Sequence, residues 1–303
     1  MKPKIVVPLN LKFFPDQNKK LDSLWDVTYY DTDPKDLDDW YERCKDADII
    51  CPWMYWMKSD KVYNLKNKFI SVPYVGVDFL DKNKLKERNI VVSNSPWCNK
   101  EAVVEWIIGM IITYFRNLNN LIWVTNIKRE EVIKSWIGLY GKKITILWHG
   151  NVWKYLWKIC KNFGIKIKYF KRWDDLIKSV KNANIVANCL PFNDETKWLL
   201  DRNFFFSLKK WTFFISSSRH EIYDIEAMIE VLNNDILVWV ADDSASSVAW
   251  DVEYPGYKKL LNHPKIIVTP HIAWNTDYEK RKWNDMMIEN IEAWLNKKPI
   301  NLI

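Results

Sequence analysis

The sequence predicts an α/β protein made of two doubly wound parallel-sheet domains, on three observations. Strand-like apolar runs alternate with helix-like segments almost throughout the chain. These runs fall into two series, separated by one long helical stretch. No repeat array, low-complexity tract or disordered tail interrupts the alternation. A chain of 303 residues is long enough for one large domain or two medium ones, each with its own core.

The first series opens with KIVVPL and continues through DVTYY, DIICP, FISVP and IVVSN. Each is a short run of strand type, and the polar segments between them suit the cover of a parallel sheet. Asn99 to Asn119 is long, apolar at helical spacing and free of proline, which predicts a helix. A second series follows in ITIL, IKIKYF, NIVANCL, TFFIS, ILVWVA and KIIVTP. The segment Asp277 to Leu295 has amphipathic helical periodicity.

Charged residues make up 27% of the chain and hydrophobic ones 48%, as in soluble globular proteins. There is no apolar run of transmembrane length, so no membrane partner is expected. The start, MKPKIVVPLN, reads as a first strand and not as a signal peptide. Cys44, Cys51, Cys98, Cys160 and Cys189 show no metal-ligand spacing, and their odd number does not suggest a disulfide framework. The expectation is reduced thiols in a cytoplasm and no metal site. The net charge of +7 comes from scattered lysines without a basic block, which argues for a solvated surface and against a nucleic-acid face. One entry in the composition is abnormal: Gly 7 beside Trp 19. Ordinary usage gives glycine at about 7%, roughly 21 residues in a chain this long. The two counts together match a normal sum, as though most glycines had been relabelled.

The stretch ITILWHGNVWKYL shows where. A strand leads into Trp148, His149, Gly150, Asn151 and Val152 and then a helix-like segment, as at the first turn of a dinucleotide-binding βαβ unit. That turn requires G-x-G-x-x-G, because the backbone must turn tightly and pass close to a pyrophosphate. Only the middle glycine, Gly150, is present; Trp148 and Trp153 stand at the other two places.

Four further segments carry chemistry: NSPWCNKEAVVEW, LPFNDETKWLL, SSSRHEIYD and TPHIAWNT. In this order, and with the loop at Trp148, they resemble the D-isomer-specific 2-hydroxyacid dehydrogenases, over nearly the whole chain. The resemblance implies a flavodoxin-like substrate domain, residues 1–98 plus 276–303, and a Rossmann nucleotide-binding domain, residues 99–275. It implies hydride transfer between NAD or NADP and a small 2-hydroxy or 2-oxo acid, with glyoxylate or hydroxypyruvate as examples. It also implies a homodimer joined through the nucleotide domain, with the helix from Asn99 as contact.

Residue by residue, His271 stands at the family's general acid/base, a task for a group whose pKa lies near working pH. Arg219 matches the arginine whose planar fork holds the substrate carboxylate. The family often sets a glutamate behind the histidine, five residues past a strand-end aspartate. Asp243, 24 residues beyond Arg219 and 28 before His271, fits that aspartate and the cofactor site. The glutamate position then falls on the apolar Val248; Glu253 is the nearest carboxylate that could substitute. A shifted alignment through AWDVEYPG makes Asp251 the aspartate instead. SVPYVGVDFLD resembles the loop whose amides bind the substrate carboxylate, which assigns Val75 and Gly76; Asn99 matches a substrate-facing asparagine. Leu190, Pro191, Ser217 and Ser218 match loops that line the cofactor. At the position where an acidic residue selects NAD, this chain has Lys171 followed by Arg172, which favours a 2′-phosphate and hence NADP.

Trp97, Trp148, Trp153, Trp198, Trp211 and Trp239 all stand where the family writes glycine, whereas Trp274 matches a family tryptophan. UGA codons translated as tryptophan but read as glycine by the native organism would produce this pattern. The Lys-, Asn- and Ile-rich composition suits the AT-rich genome such a reading implies. Two alternatives are an inactive relative that truly carries indoles and a non-catalytic dinucleotide sensor.

Overall fold

The structure, a computed structural model, describes residues 3–118, 137–148, 150–244 and 255–303. The chain divides into two compact units, Met1–Asn99 with Asn275–Ile303, and Lys100–Trp274.

The first unit holds β1 (Lys4–Val7), α1 (Pro15–Leu24), β2 (Asp26–Tyr29), α2 (Leu37–Cys44), β3 (Ile49–Ile50), α3 (Met54–Met57), β4 (Lys68–Ser71), α4 (Lys82–Glu87) and β5 (Ile90–Ser93). Its strands are all parallel in the order β2-β1-β3-β4-β5, the doubly wound order. Strand alternation makes two cores. Val6, Ile50 and Ile70 face one side of the sheet, where Trp40 and Met57 pack. Ile5, Val7, Ile49 and Phe69 face the other, covered by Met287, Ile288 and Ile291 of α11 (Asp277–Leu295). The C-terminal helix therefore closes the first sheet and not the second. The tail then returns, with Ile303 N–H donating to Val92 O (3.2 Å) and Ser93 Oγ to Ile300 O (2.8 Å).

The second unit begins with α5 (Lys100–Phe115), followed by β6 (Lys143–Leu147), α6 (Asn151–Asn162), β7 (Lys166–Phe170), α7 (Leu176–Val180), β8 (Ile185–Asn188), α8 (Arg202–Phe206), β9 (Thr212–Ser216), α9 (Ile225–Asn233), β10 (Leu237–Asp242), α10 (Pro255–Leu261) and β11 (Ile266–Val268). These strands are also parallel, in the order β11-β10-β9-β8-β6-β7. After β6 the chain goes outward to β7 and then crosses back to β8. The crevice at the carboxyl ends of β6 and β8 is thus the topological switch point, where open α/β sheets bind ligands. One face is covered by Val103, Val104, Ile107 and Ile111 of α5 over Ile144, Ile146, Phe213 and Ile215. The other packs Leu147, Val186, Phe214 and Val240 against Met228 and Val231 of α9.

Most helices start on a polar cap. Asp36, Asp81, Asp175, Asp201, Asp224 and Thr276 each accept first-turn amides. Helix α6 differs: its cap is Gly150, in extended conformation, with no side-chain acceptor.

Twelve described residues other than glycine have positive φ. Four are asparagine, which tolerates this region; four are tryptophan, a bulky residue for which it is a genuine outlier. They are Trp97 (φ 64°), Trp148 (102°), Trp198 (56°) and Trp211 (65°). Left-handed backbone costs a side-chain-bearing residue roughly 1–2 kcal/mol, a cost glycine does not incur. Trp97, Trp198 and Trp211 are also largely exposed, so little buried area offsets that cost. Trp153 lies within α6 and stacks edge-on against Tyr169; Trp239 lies at a register shift in β10 and packs beside Tyr114.

Candidate active site

The sequence-derived residues of the second unit lie along one line, the carboxyl edge of its sheet. In strand order, His271 follows β11, Asp243 follows β10, and Ser217, Ser218 and Arg219 follow β9. Leu190 and Pro191 follow β8, Trp148 to Val152 follow β6, and Lys171 and Arg172 follow β7. Backbone bonds tie neighbouring loops together: Ser217 N to Asn188 O (3.1 Å), Asp243 N to Ser216 O (2.9 Å), Thr269 N to Asp242 O (2.9 Å). His149, Val248, Asp251 and Glu253 lie outside the described residues.

At the β6 turn the Trp148 side chain fills the space beside Gly150. A Cβ placed on Gly150 would stand 2.6 Å from Nε1 and 2.8 Å from Cδ1 of Trp148. The indole thus lies on the face of Gly150 where a side chain would be, immediately before the uncapped start of α6.

Asp243 is buried at 4% exposure, and its carboxylate is spent on the His271 turn. Thr269 Oγ1 donates to Oδ1, as does Ile272 N (2.9 Å), and Ala273 N donates to Oδ2 (2.8 Å). His271 itself is left-handed (φ 52°), and its amide donates to Thr269 O (2.9 Å). A carboxylate gripping both flanks of the histidine holds that conformation in place. Arg219 is half-buried at the start of the short 3₁₀ turn His220–Ile222. Burial depresses the pKa of the neighbouring His220, which Glu221 partly counteracts from 3.3 Å.

Burial pushes Asp243 up to about 6, against the pull of Thr269 and the two amides. Because the folded pKa is raised above the ordinary 3.8, ionised Asp243 costs stability above about pH 6 and is relieved below 3.8. Two pKa units correspond to about 3 kcal/mol. Acidifying from pH 6.5 to 4.5 is therefore expected to raise this contribution to stability while loosening the His271 turn. Urea titrations across that range check the sign, with Asp243→Asn as the flat control.

Lys171 and Arg172 stand at the selecting position as expected, and each has an acidic neighbour. Arg172 pairs with Glu195 and stacks on Trp173 (5.2 Å), while Lys171 N donates to Asp174 Oδ2 (2.9 Å) and its Nζ sits over Tyr169 (5.2 Å). Both members of the Arg172–Glu195 pair are more than half exposed, and such a pair is worth about 0–1 kcal/mol. In the first unit, Val75 and Gly76 form a half-buried turn after β4, with Asn94 Nδ2 donating to Val75 O (2.7 Å). Asn99 ends the turn that leads into α5. Sequence reasoning did not find Asp242, Tyr223 and Ser244, which form a buried polar cluster beside Asp243. The available signal was an aspartate ending the apolar run ILVWVA. Among the described residues no group of His, Cys, Asp and Glu is arranged to hold a metal ion, and no helix is long and apolar enough to cross a membrane.

A doubly wound sheet with its chemistry-bearing loops at the switch edge is the architecture of dinucleotide-dependent oxidoreductases. More specifically, the model of the D-isomer specific 2-hydroxyacid dehydrogenase NAD-binding domain matches residues 108–273, more than half of the chain, which belongs to this family. The chain is 22% identical to the hydroxypyruvate reductase of Blautia hydrogenotrophica, over 94% of each protein. It is 23% identical to the glycerate dehydrogenase of Methylorubrum extorquens, over 96% of this chain and 93% of that one. Among solved structures it is similar to an acyclic imino acid reductase in complex with NADPH and D-Arg (TM-score 0.82, 20% identity, 99% of each chain). It is also similar to a NAD+-bound 3-phosphoglycerate dehydrogenase of Entamoeba histolytica (TM-score 0.75, 22% identity, 99% of each chain). The chain is thus an NAD(P)-binding oxidoreductase of the 2-hydroxy acid family.

Proposed function

We propose that this protein reduces a short 2-oxo acid of the glyoxylate or hydroxypyruvate type, with His271 delivering the proton and Arg219 holding the carboxylate. The observation that carries this reading is the clamp of Asp243 on the His271 turn. It spends a buried carboxylate on holding the turn that carries His271, two strands from the loop that carries Arg219. The nicotinamide group supplies the hydride when bound. The chain supplies an imidazolium to protonate the nascent alkoxide and a fixed fork to orient the carboxylate. Val75, Gly76 and Asn99 are the expected further contacts to the acid.

The cofactor fits this chain only with a change at position 148. A helix that starts on Gly150 at the end of β6 suits a pyrophosphate, but the Trp148 indole covers Gly150. We infer that Trp97, Trp148, Trp198 and Trp211 are glycines in the functional protein, written as tryptophan through a reassigned UGA codon. In that form Gly150, with the loop of His149, Asn151 and Val152, holds the phosphates; Leu190, Pro191, Ser217 and Ser218 line the remainder, with Asp243 behind them. Lys171 and Arg172 favour NADP. The same reading includes a homodimer through α5 and a reducing cytoplasm, consistent with five free cysteines, four of them buried. If the indoles are genuine, the filled turn favours the second reading, an inactive relative of the same fold.

The test is glyoxylate and hydroxypyruvate reduction by the Trp148→Gly chain, with NADPH and NADH compared. Arg219→Ala is expected to raise KM and lower kcat together, since the arginine contacts ground and transition states alike. Unchanged KM for the 2-oxo acid in Arg219→Ala would refute its role.

A further inference from the structure

Asp242 and Asp243 are consecutive, so they point to opposite faces of the sheet. Asp243 turns toward the α5 side and grips the His271 turn. Asp242, with no exposure at all, turns into the apolar core on the α9 side, among Val240, Phe214 and Tyr223. There it accepts from Tyr223 Oη through Oδ2 and from Ser244 N through Oδ1 (2.6 Å); the Ser244 hydroxyl, 3.0 Å from Tyr223 Oη, closes the ring. Tyr223, fully buried against Phe214, directly follows the turn that starts at Arg219. A tyrosine and an aspartate in such a core are a costly way to fill space, because apolar side chains of similar volume often match or exceed a buried polar network in stability. What the network adds is a fixed geometry.

We propose that the Tyr223–Asp242–Ser244 network is a positioning device that locks the exit of β10 to the Arg219 turn, so that Arg219 and His271 are presented in one register. The two adjacent carboxylates act as a bracket. Asp242 holds the segment that follows β9, and Asp243 holds the segment that follows β11. Burial raises the pKa of Asp242, and the hydrogen bonds from Tyr223 and Ser244 oppose that shift. The proposal rests on the reductase reading for its kinetic consequences, but not for the bracket itself.

Two readouts test it. The first needs no turnover: amide exchange at Ile272 and Ala273 and the NMR titration of the His271 imidazole, in the chain as it stands. In Asp242→Leu and Tyr223→Phe, exchange at these amides is expected to quicken about tenfold more than at Met228 and Val231 in α9, the loss of roughly one charge-assisted hydrogen bond. Asp242→Asn keeps an oxygen acceptor and is expected to restore both the exchange and the His271 titration. The second readout is glyoxylate reduction in the Trp148→Gly background. There Tyr223→Phe is expected to lower kcat about tenfold and to raise KM, and Asp242→Asn to stay near the parent. Exchange that quickens uniformly across the sheet, with the His271 titration, kcat and KM unchanged, would overturn the proposal and leave a merely structural network. If the exchange and titration respond as expected but the parent reduces no 2-oxo acid, the bracket stands and the reductase reading fails.

Discussion

Replacing Trp148 with glycine is expected to tighten NADPH binding by about 100-fold, equivalent to about 2.7 kcal/mol. The indole stands 2.6 Å from the Cβ position of Gly150, on the face a pyrophosphate must approach. It also sits before a helix start whose cap offers no side-chain acceptor. Removing it opens that face and releases a φ of 102° from a residue that rarely adopts it. The helix amides then gain an anion. Trp211→Gly is the control: it relieves a φ of 65° at an exposed site before β9, at the opposite end of the strand from Arg219. It is expected to raise stability by about 1 kcal/mol without altering affinity. Fluorescence titration with NADPH and thermal melts separate the two effects. Equal affinity in Trp148→Gly and the parent would mean that the turn is not the phosphate site.

His271→Ala, made in the Trp148→Gly chain, is expected to lower kcat for 2-oxo acid reduction by about 100-fold or more. NADPH affinity should be unchanged. The physical reason is the turn that presents the imidazole. A left-handed residue flanked by the Thr269 hydroxyl on one side and the Ile272 and Ala273 amides on the other, all bonded to one buried carboxylate, is held in place, so proton delivery depends on that one group. Loss of NADPH binding together with rate would instead point to collapse of the turn, which circular dichroism and Asp243→Asn would expose. A kcat within a factor of two or so of the parent would remove His271 from the chemistry.

All eleven strands coincide with apolar runs that could be read directly, from KIVV at Lys4–Val7 to IIV at Ile266–Val268. The reason is that both sheets are parallel: their central strands are covered on both faces and read as nearly continuous apolar runs, while the edge strands β2 and β7 alternate exposed and half-buried residues. The C-terminal helix was equally readable, because its buried face repeats at Trp283, Met287, Ile288 and Ile291. The strand-end position of Asp243 followed from spacing, but its partners did not. Two of its three donors are backbone amides, which leave no trace in residue identity. Tyr223 and Asp242 were unreadable for a related reason: they are 19 positions apart, and only the β9–β10 pairing brings them together. The glycine anomaly was visible in composition alone. Positive φ sets Trp97, Trp148, Trp198 and Trp211 apart from Trp153, within α6, and Trp239, at the register shift of β10; residue identity alone does not show this difference.

The most direct test is peptide mass spectrometry of the protein isolated from its native cells, across positions 97, 148, 198 and 211. The expected masses at all four are those of glycine, giving a turn that can hold a dinucleotide. Tryptophan masses at all four would contradict the account, and the filled turn at Gly150 would then make this chain an inactive relative of the family.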